Sequence, residues 1–235
     1  MAEEIEWWDF DSSDEFVDAV VGDVTFIIES ALDARGQALV AFPGGSTPIP
    51  ILKKLAEAPL RWKGVTIIPT DDRLVPVSDA LSNVAMLAKI FLPKGARVLP
   101  LTSDAADHHL AGNAANARLM DLHWPLDLVW LGMGGDGHTA SIFAGPDLDA
   151  ALNAPKDRRA VGVAPDPLPP EAPVNRVTLT APAIVAARTT MFAISGQDKR
   201  DLLEQAAEDG GKSQYPVGKV LDQITVPVDI YCLID

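Results

Sequence analysis

The sequence predicts an α/β fold in a single domain, with a mostly parallel sheet and helices on both faces. Short, continuous apolar runs alternate along the chain with segments of helical spacing. Continuous runs are typical of strands that are buried on both faces, as in parallel sheets. The chain has 235 residues, 48% of them hydrophobic, which is enough for one substantial core. We therefore expect residues 1–235 to form one domain.

The individual elements follow from these runs. The first is a helix capped near Ser12, with apolar positions at helical spacing as far as Leu32. Strands are predicted at 37–42, 65–69, 97–101, 127–131, 161–164, 176–180, 190–195 and 228–233. Further helices are predicted at 48–56, 82–92, 105–122 and 198–207. Five prolines between residues 164 and 173 predict a surface loop.

The charge balance disfavours several classes of partner. The formal net charge is −14, so the overall field repels nucleic acids and anionic membranes. The N-terminal residues are acidic and no apolar stretch is long enough to span a bilayer, so we expect a cytoplasmic protein that does not enter the membrane. An anionic substrate would need cations gathered at one point, which makes single Arg and Lys residues informative.

The single cysteine limits redox and metal chemistry. Cys232 cannot form an intrachain disulfide, and the chain alone cannot build a thiolate metal cage. Because Cys232 lies in an apolar run without a basic neighbour, we expect a buried core residue. No metal and no cofactor are predicted.

Three loops that directly follow predicted strands carry the candidate chemistry, because ligands of open α/β sheets bind at the carboxyl ends of the strands. The first loop holds Gly44, Gly45, Ser46 and Thr47 and precedes a helix that opens with Pro48. Glycine backbone, free helix amides and hydroxyls suit a phosphate group. An ordinary glycine turn with a serine or threonine cap fits the same residues equally well.

The second loop combines acids with a cation. Asp71, Asp72 and Arg73 follow the strand 65–69, and Ser82 and Asn83 cap the next predicted helix. Paired acids beside an arginine are suited to orienting a polyol and holding a phosphate. The alternative is a solvated turn with surface charges.

The third loop contains the glycines Gly132, Gly134 and Gly137, in the spacing of a dinucleotide-binding fingerprint. Prolines interrupt the region that would have to form the long helix of such a site, so an NAD- or FAD-type oxidoreductase is disfavoured. Asp136 and His138 lie among the glycines instead, which indicates acid–base chemistry by the histidine. Two later cations, Arg176 and Lys199, are candidate phosphate ligands or plain surface charges.

Taken together, these motifs resemble those of the 6-phosphogluconolactonase family in order and spacing over nearly the whole chain. The motifs are Gly-Gly-Ser-Thr-Pro at 44–48, Asp-Asp-Arg-Leu-Val-Pro at 71–76 with Ser-Asn at 82–83, Gly-Met-Gly-Gly-Asp-Gly-His-Thr-Ala-Ser-Ile-Phe at 132–143, Arg-Val-Thr-Leu-Thr at 176–180 and Gly-Gln-Asp-Lys at 196–199. The stretch 139–143 is similar to the lactonases, whereas the related glucosamine-6-phosphate deaminases continue with an Asn-Glu pair. Two positions differ from the lactonase motifs: Asp72 stands where the lactonases usually have a glutamate, and Ala144 stands where they usually have a proline.

The resemblance implies hydrolysis of 6-phospho-D-glucono-1,5-lactone to 6-phosphogluconate in the pentose phosphate pathway, without a cofactor. It implies that His138 is the general base and that Asp136 or Asp71 orients the base or the sugar, a choice that the sequence leaves open. Glycine amides of 132–137 are candidate oxyanion donors. The expected substrate and phosphate ligands are Gly44, Gly45, Ser46, Thr47, Arg73, Asn83, Arg176 and Lys199. The alternatives are a deaminase/isomerase and a non-catalytic sugar-phosphate sensor, and we expect a monomer or small homo-oligomer.

Overall fold

The computed structural model describes residues 4–102 and 107–234. The strands are β1 (Ile5–Phe10), β2 (Ala38–Phe42), β3 (Val65–Pro69), β4 (Asp71–Arg73), β5 (Arg97–Val98), β6 (Leu128–Leu131), β7 (Ala160–Val163), β8 (Arg176–Leu179), β9 (Thr190–Ser195) and β10 (Val228–Leu233). The α-helices are α1 (Ser13–Arg35), α2 (Pro48–Leu55), α3 (Asn83–Phe91), α4 (His108–Met120), α5 (Leu148–Leu152), α6 (Ala181–Val185), α7 (Gln197–Asp209) and α8 (Pro216–Leu221).

The main sheet confirms the predicted fold class. Within the described residues it has seven parallel strands in the order β1-β10-β9-β6-β2-β3-β5. Every residue of β2 and β6 is buried, which explains why these strands read as continuous apolar runs.

Helices cover both faces of the sheet, and successive strand residues serve opposite cores. In β6, Leu128 and Trp130 face the core formed with α1, α2 and α3, whereas Val129 and Leu131 face the core formed with α4, α6, α7 and α8. This alternation is the period-two geometry of a strand. Among the described residues, helices thus cover the faces of the central strands, and loops and ligands can reach these strands at their two ends.

The first helix begins and ends where its local chemistry predicts. The Ser12 side chain accepts a hydrogen bond from the Glu15 amide, and Gly36 ends the helix with a φ of 73°. That left-handed conformation suits glycine. The predicted cap at Ser12 is thus confirmed.

Several elements differ from the predictions. The helix α1 is preceded by β1, whose half-exposed alternating residues place it at the sheet edge beside β10. The predicted strands 161–164 and 176–180 do not join the main sheet. In the described residues, β7 and β8 pair antiparallel with β4 in a second sheet of three strands. The second predicted loop therefore contains a short strand, Asp71–Arg73.

Smaller differences concern helices and termini. The short helices α5, α6 and α8 were not predicted. The predicted helix 105–122 begins at His108, and its residues 105 and 106 lie outside the described residues.

Cys232 is fully buried in β10, as expected. None of the helices in the described part of the chain is both long and apolar enough to cross a membrane.

Helix α4 packs unusually close to β7, and glycine makes this possible. A Cβ atom on Gly112 would overlap the backbone nitrogen of Gly162, and one on Gly162 would overlap the His108 carbonyl oxygen. The two backbones therefore touch where the second sheet meets the helix.

We expect Gly112→Ala to lower the free energy of unfolding by about 1–3 kcal/mol, because the added methyl group forces α4 away from β7. Gly22→Ala is the matched control, since nothing lies within 4 Å of a Cβ at this position in α1. The control should raise stability by about 0.5–1 kcal/mol through helix propensity. Urea denaturation of the three proteins measures both effects, and equal stability of the two variants would refute the close packing.

Candidate functional site

The candidate site lies at the carboxyl edge of the main sheet, where the strand connections diverge. Strands β2 and β6 are neighbours, but the next strand of the main sheet after β2 is β3, and the next one after β6 is β9, on the opposite side. Such a switch point opens a crevice between the loops that leave the two strands. Here those loops are residues 43–47 and 132–138.

A cavity of about 240 Å³ occupies this crevice. Most of the predicted site residues line it: Gly44, Gly45, Ser46, Thr47, Asp71, Arg73, Asn83, His138 and Lys199. Asp136 lines a neighbouring cavity that shares His138, Glu171 and Lys199 with the first. Arg176 lines neither cavity.

The imidazole of His138 is held by Asp136. Nδ1 of His138 lies 2.5 Å from the Asp136 carboxylate, and the His138 amide donates to the same oxygen at 3.2 Å. In the described residues, Nε2 has no hydrogen-bond partner. A proton on Nδ1 that is donated to Asp136 leaves Nε2 available as an acceptor on a residue that lines the cavity. Partial burial raises the pKa of Asp136, but the hydrogen bond and charge of His138 outweigh this, so its pKa lies below the ordinary value.

Two neighbours fix the plane of the imidazole. The Phe143 ring packs on it with a centroid distance of 4.2 Å and an angle of 32°. A Cβ on Gly134 would overlap His138 Cε1 and Nδ1, so glycine at this position leaves room for the ring. The glycine spacing that resembles a dinucleotide fingerprint thus makes room for the histidine.

The loop 132–138 is closed by its own hydrogen bonds. The Gly134 amide donates to the His138 carbonyl at 2.9 Å, and the Gly137 amide donates to the Gly134 carbonyl at 3.0 Å. Gly137 has a φ of 78°, which favours glycine. These two amides are therefore occupied within the loop, which narrows the choice of oxyanion donors that we predicted for it.

Asp71 has a different partner from Asp136. Its buried carboxylate accepts a hydrogen bond from Ser141 Oγ at 2.5 Å, and its carbonyl accepts one from Asn83 Nδ2 at 2.8 Å. Ser141 follows Ala140, which lines the cavity with a φ of 49°, a rare conformation for a non-glycine residue. Of the two acids between which the sequence did not decide, Asp136 contacts the imidazole and Asp71 is bound to Ser141.

Asp72 anchors the helix that carries Asn83. Its fully buried carboxylate accepts the amides of Asn83 at 2.7 Å, Val84 at 3.1 Å and Arg73 at 2.9 Å. Burial raises the pKa of Asp72 to about 6, although the three amide donors oppose the rise. Asp72 thus caps α3 together with Ser82, whose Oγ accepts the Ala85 amide.

The loop 44–47 keeps its polar groups available. Thr47 precedes α2 but makes no side-chain cap hydrogen bond, in contrast to an ordinary threonine cap. Pro48 and Pro50 have no amide proton, so the donors at this helix end come from the turn itself and from the Ser46 and Thr47 hydroxyls. A Cβ on Gly44 would overlap the Asn83 side chain, so glycine allows the turn to pack against Asn83.

The three predicted cations have different surroundings. Arg73 Nη1 donates to the Leu81 carbonyl at 2.8 Å, while its side chain lines the cavity. Lys199 lies in the first turn of α7 and its ammonium group has no ion pair in the described residues. Arg176 is buried and donates to the carbonyls of Ala172 and Val174. Burial and the nearby charge of Arg73 lower the pKa of Arg176.

The proline-rich loop forms a wall of the site. Residues 165–170 line the neighbouring cavity of about 680 Å³, opposite Phe143 and His138. Its last part brings Glu171 into the cavity at the switch point. Sequence reasoning did not single out Glu171 or Ser141. Ser141 lay within a quoted motif, but no local pattern indicated that it would reach Asp71, which is 70 residues earlier.

The arrangement offers acid–base chemistry next to an anion site. A histidine with a free ring nitrogen, a carboxylate on its other nitrogen, and two cations near a hydroxyl-rich turn share one crevice. In the part of the chain that the structure describes, no group of three His, Cys, Asp or Glu side chains is placed to hold a metal ion.

Comparison with known proteins gives a consistent result. The model of the family described as glucosamine-6-phosphate isomerases/6-phosphogluconolactonase matches residues 11–227. A 6-phosphogluconolactonase of Pseudomonas putida is 36% identical over 213 residues, covering 89% of this chain and 85% of that protein. One from Mesorhizobium japonicum is 35% identical over 231 residues, covering 96% and 94%. The crystal structure of a 6-phosphogluconolactonase from Shewanella baltica OS155 superposes with a TM-score of 0.90 at 28% identity, covering 100% of both chains.

Asp72 predicts a specific dependence of stability on pH. Its pKa is about 6 in the folded protein against an ordinary value of 3.8, so the folded state holds this proton more tightly. The resulting stabilisation is present below pH 4 and is lost as the pH rises through 6, by roughly 3 kcal/mol in total. Asp72→Asn has no such proton, so its stability should fall less than that of the wild type over this range.

Urea denaturation at several pH values between 4 and 7 measures this difference. Glu208→Gln removes an exposed carboxylate elsewhere and controls for net charge. Curves of wild type and Asp72→Asn that stay parallel over the whole range would contradict the assignment.

Proposed function

Because the chain belongs to the glucosamine-6-phosphate isomerase/6-phosphogluconolactonase family, we propose that it hydrolyses 6-phospho-D-glucono-1,5-lactone to 6-phosphogluconate, with His138 as general base. The observation that carries this proposal is the Asp136–His138 pair, in which Nδ1 is held by the carboxylate while the imidazole lines the cavity at the switch point. The named relatives that cover nearly the whole chain support the lactonase reaction over the other activity in the family name.

In the proposed reaction, His138 Nε2 removes a proton from a water molecule as the water oxygen bonds to the lactone carbonyl carbon. The ring C–O bond then breaks, and the same nitrogen returns the proton to the departing ring oxygen. Asp136 keeps the Nδ1 proton in place and stabilises the imidazolium ion that exists between the two transfers. The phosphate group stays unchanged throughout.

The phosphate is held at the other end of the cavity. The turn 44–47 supplies backbone amides and two hydroxyls, and Arg73 and Lys199 supply positive charge. Because Lys199 is unpaired among the described residues, it loses no ion pair when an anion arrives. Arg176 contributes by fixing the carbonyls at 172 and 174, next to the wall that carries Glu171.

Asp71 and Asn83 suit the sugar hydroxyls. Asp71 is fixed by Ser141, and Asn83 is fixed by its bond to the Asp71 carbonyl and by the anchored start of α3. Side chains that are already held in place lose little freedom on binding, which favours a defined orientation of the lactone ring.

We expect His138→Ala to lower kcat by about 10² to 10⁴, which is the usual contribution of a positioned general base. Asp136→Asn should lie between this variant and the wild type, because the histidine remains but loses its charged partner. The substrate is generated in situ and acid release is followed against the spontaneous rate. His109→Ala, an exposed histidine on α4, is the control and should keep the wild-type rate.

The same assay separates the alternatives. Wild-type kcat in His138→Ala would remove the histidine from the mechanism while leaving the lactonase reaction intact. Ammonia release from glucosamine 6-phosphate by the wild type would indicate the deaminase reaction. Binding of both sugar phosphates without any turnover would indicate a sensor.

A further inference from the structure

A further cavity, here called the amino-edge cavity, lies at the edge of the main sheet opposite to the two cavities near His138. Its volume is about 610 Å³, and its wall includes residues at the amino ends of β2, β3 and β5 and just before β6. Because parallel strands point the same way, this edge is the one farthest from His138 and the switch-point loops. The proposed lactonase reaction makes no use of it.

The lining of the amino-edge cavity is positively charged. Arg35, Lys63, Arg97 and Arg188 line it, against only two acids, Asp121 and Asp127. The chain as a whole has a net charge of −14, so an excess of cations around one cavity runs against its overall composition. Such a local concentration attracts anions that the rest of the surface repels.

Asp127 is used to build the cavity wall. Its buried carboxylate accepts the Leu39 amide at 2.9 Å and the Arg35 guanidinium at 2.5 Å, and it lies 3.4 Å from Arg188 Nε. Its charge is therefore balanced inside the wall. The same contacts hold the guanidinium groups of Arg35 and Arg188 in place at the cavity wall. Their remaining N–H groups stay available as donors to a ligand.

The other two cations have no such partner. In the described parts of the chain, the exposed side chains of Lys63 and Arg97 make no hydrogen bond or ion pair. Thr66, on β3, adds a hydroxyl to the same wall, and Trp124 with Pro125 gives it an apolar side. Charged donors without partners beside an apolar surface match a ligand with an anionic and a non-ionic part.

We propose that this cavity binds a small phosphorylated molecule with at least two adjacent negative charges, such as a diphosphate ester. Four cations around one recess exceed what a single carboxylate needs, and guanidinium groups match the oxygens of phosphate groups in pairs. A volume of this size accommodates a small molecule rather than a polymer. The overall negative charge disfavours a nucleic acid as the source of the phosphates.

Inorganic pyrophosphate is the probe that tests whether the cavity binds the anionic part of such a ligand. Its binding is measured by isothermal titration calorimetry on the full chain, in low-salt buffer with a chelator. The variant Lys63→Gln/Arg97→Gln should weaken binding by about tenfold or more, because it removes two charged donors to the anion. Its lactone hydrolysis without pyrophosphate should equal that of the wild type.

Two control variants locate the binding. Lys53→Gln/Lys212→Gln removes the same charge from exposed positions without ion pairs in the described residues, and it should leave the affinity unchanged. Lys199→Ala removes a cation from the switch-point cavity. It should weaken any separate binding of pyrophosphate there and leave unchanged the binding that Lys63→Gln/Arg97→Gln weakens. Because this test measures binding alone, it does not depend on the proposed reaction.

Three results would overturn the proposal. One is a wild-type protein that gives no binding heat with pyrophosphate. Another is that Lys53→Gln/Lys212→Gln weakens pyrophosphate binding as much as Lys63→Gln/Arg97→Gln does, which would show only an effect of net charge. The third is binding that is lost in Lys199→Ala but kept in Lys63→Gln/Arg97→Gln, which would place pyrophosphate in the switch-point cavity.

Discussion

The burial of the central strands on both faces is the constraint on which the rest of the structure depends. Helices cover β2 and β6 from both sides, so chemistry is confined to the two edges of the sheet. At the carboxyl edge the chain turns in opposite directions after these two strands, and the turns leave a crevice. Glycines let the backbones in this crevice come close to Asn83 and His138. The same constraint creates a second recess at the amino edge.

Buried carboxylates then connect the loops to this rigid frame. Asp72 holds the start of α3 through backbone amides, Asp71 joins Ser141 to the start of β4, and Asp127 joins β2 to two arginines. A buried charge without partners is strongly unfavourable, so each of these acids selects one arrangement of its neighbours. In this way three aspartates that look alike in the sequence take three different structural tasks.

The sequence was most informative where a local pattern determines the structure. Continuous apolar runs predicted the strands of the sheet centre, and the loops after them proved to hold His138, Asp136 and Asp71. The edge strand β1 was not predicted because acidic residues interrupt its apolar ones, and none of its residues is fully buried. β7 and β8 have apolar runs like the others, but their antiparallel pairing with β4 depends on partners distant in the chain.

The same distinction holds within the site. Residue types at loop positions indicated a base and an anion site, but not which acid would face the base. That choice depends on geometry: Asp136 is two residues from His138 on one tight turn, whereas Asp71 lies on another strand and meets Ser141. The positions of Arg176 and Glu171 likewise depend on how the proline-rich loop folds back, which no periodicity encodes.

The acids around His138 also bear on how the proposed reaction ends. Substrate and product carry the same phosphate, so the cations near the turn 44–47 hold both to a similar degree. Ring opening creates a new carboxylate on the carbon next to the base, close to Asp136 and Glu171. The new carboxylate and these two acids carry like charges, which repel each other more strongly in a partly desolvated crevice than in water. In the proposed reaction, the negative charge that orients the base therefore weakens the binding of the product, which carries one more negative charge than the lactone.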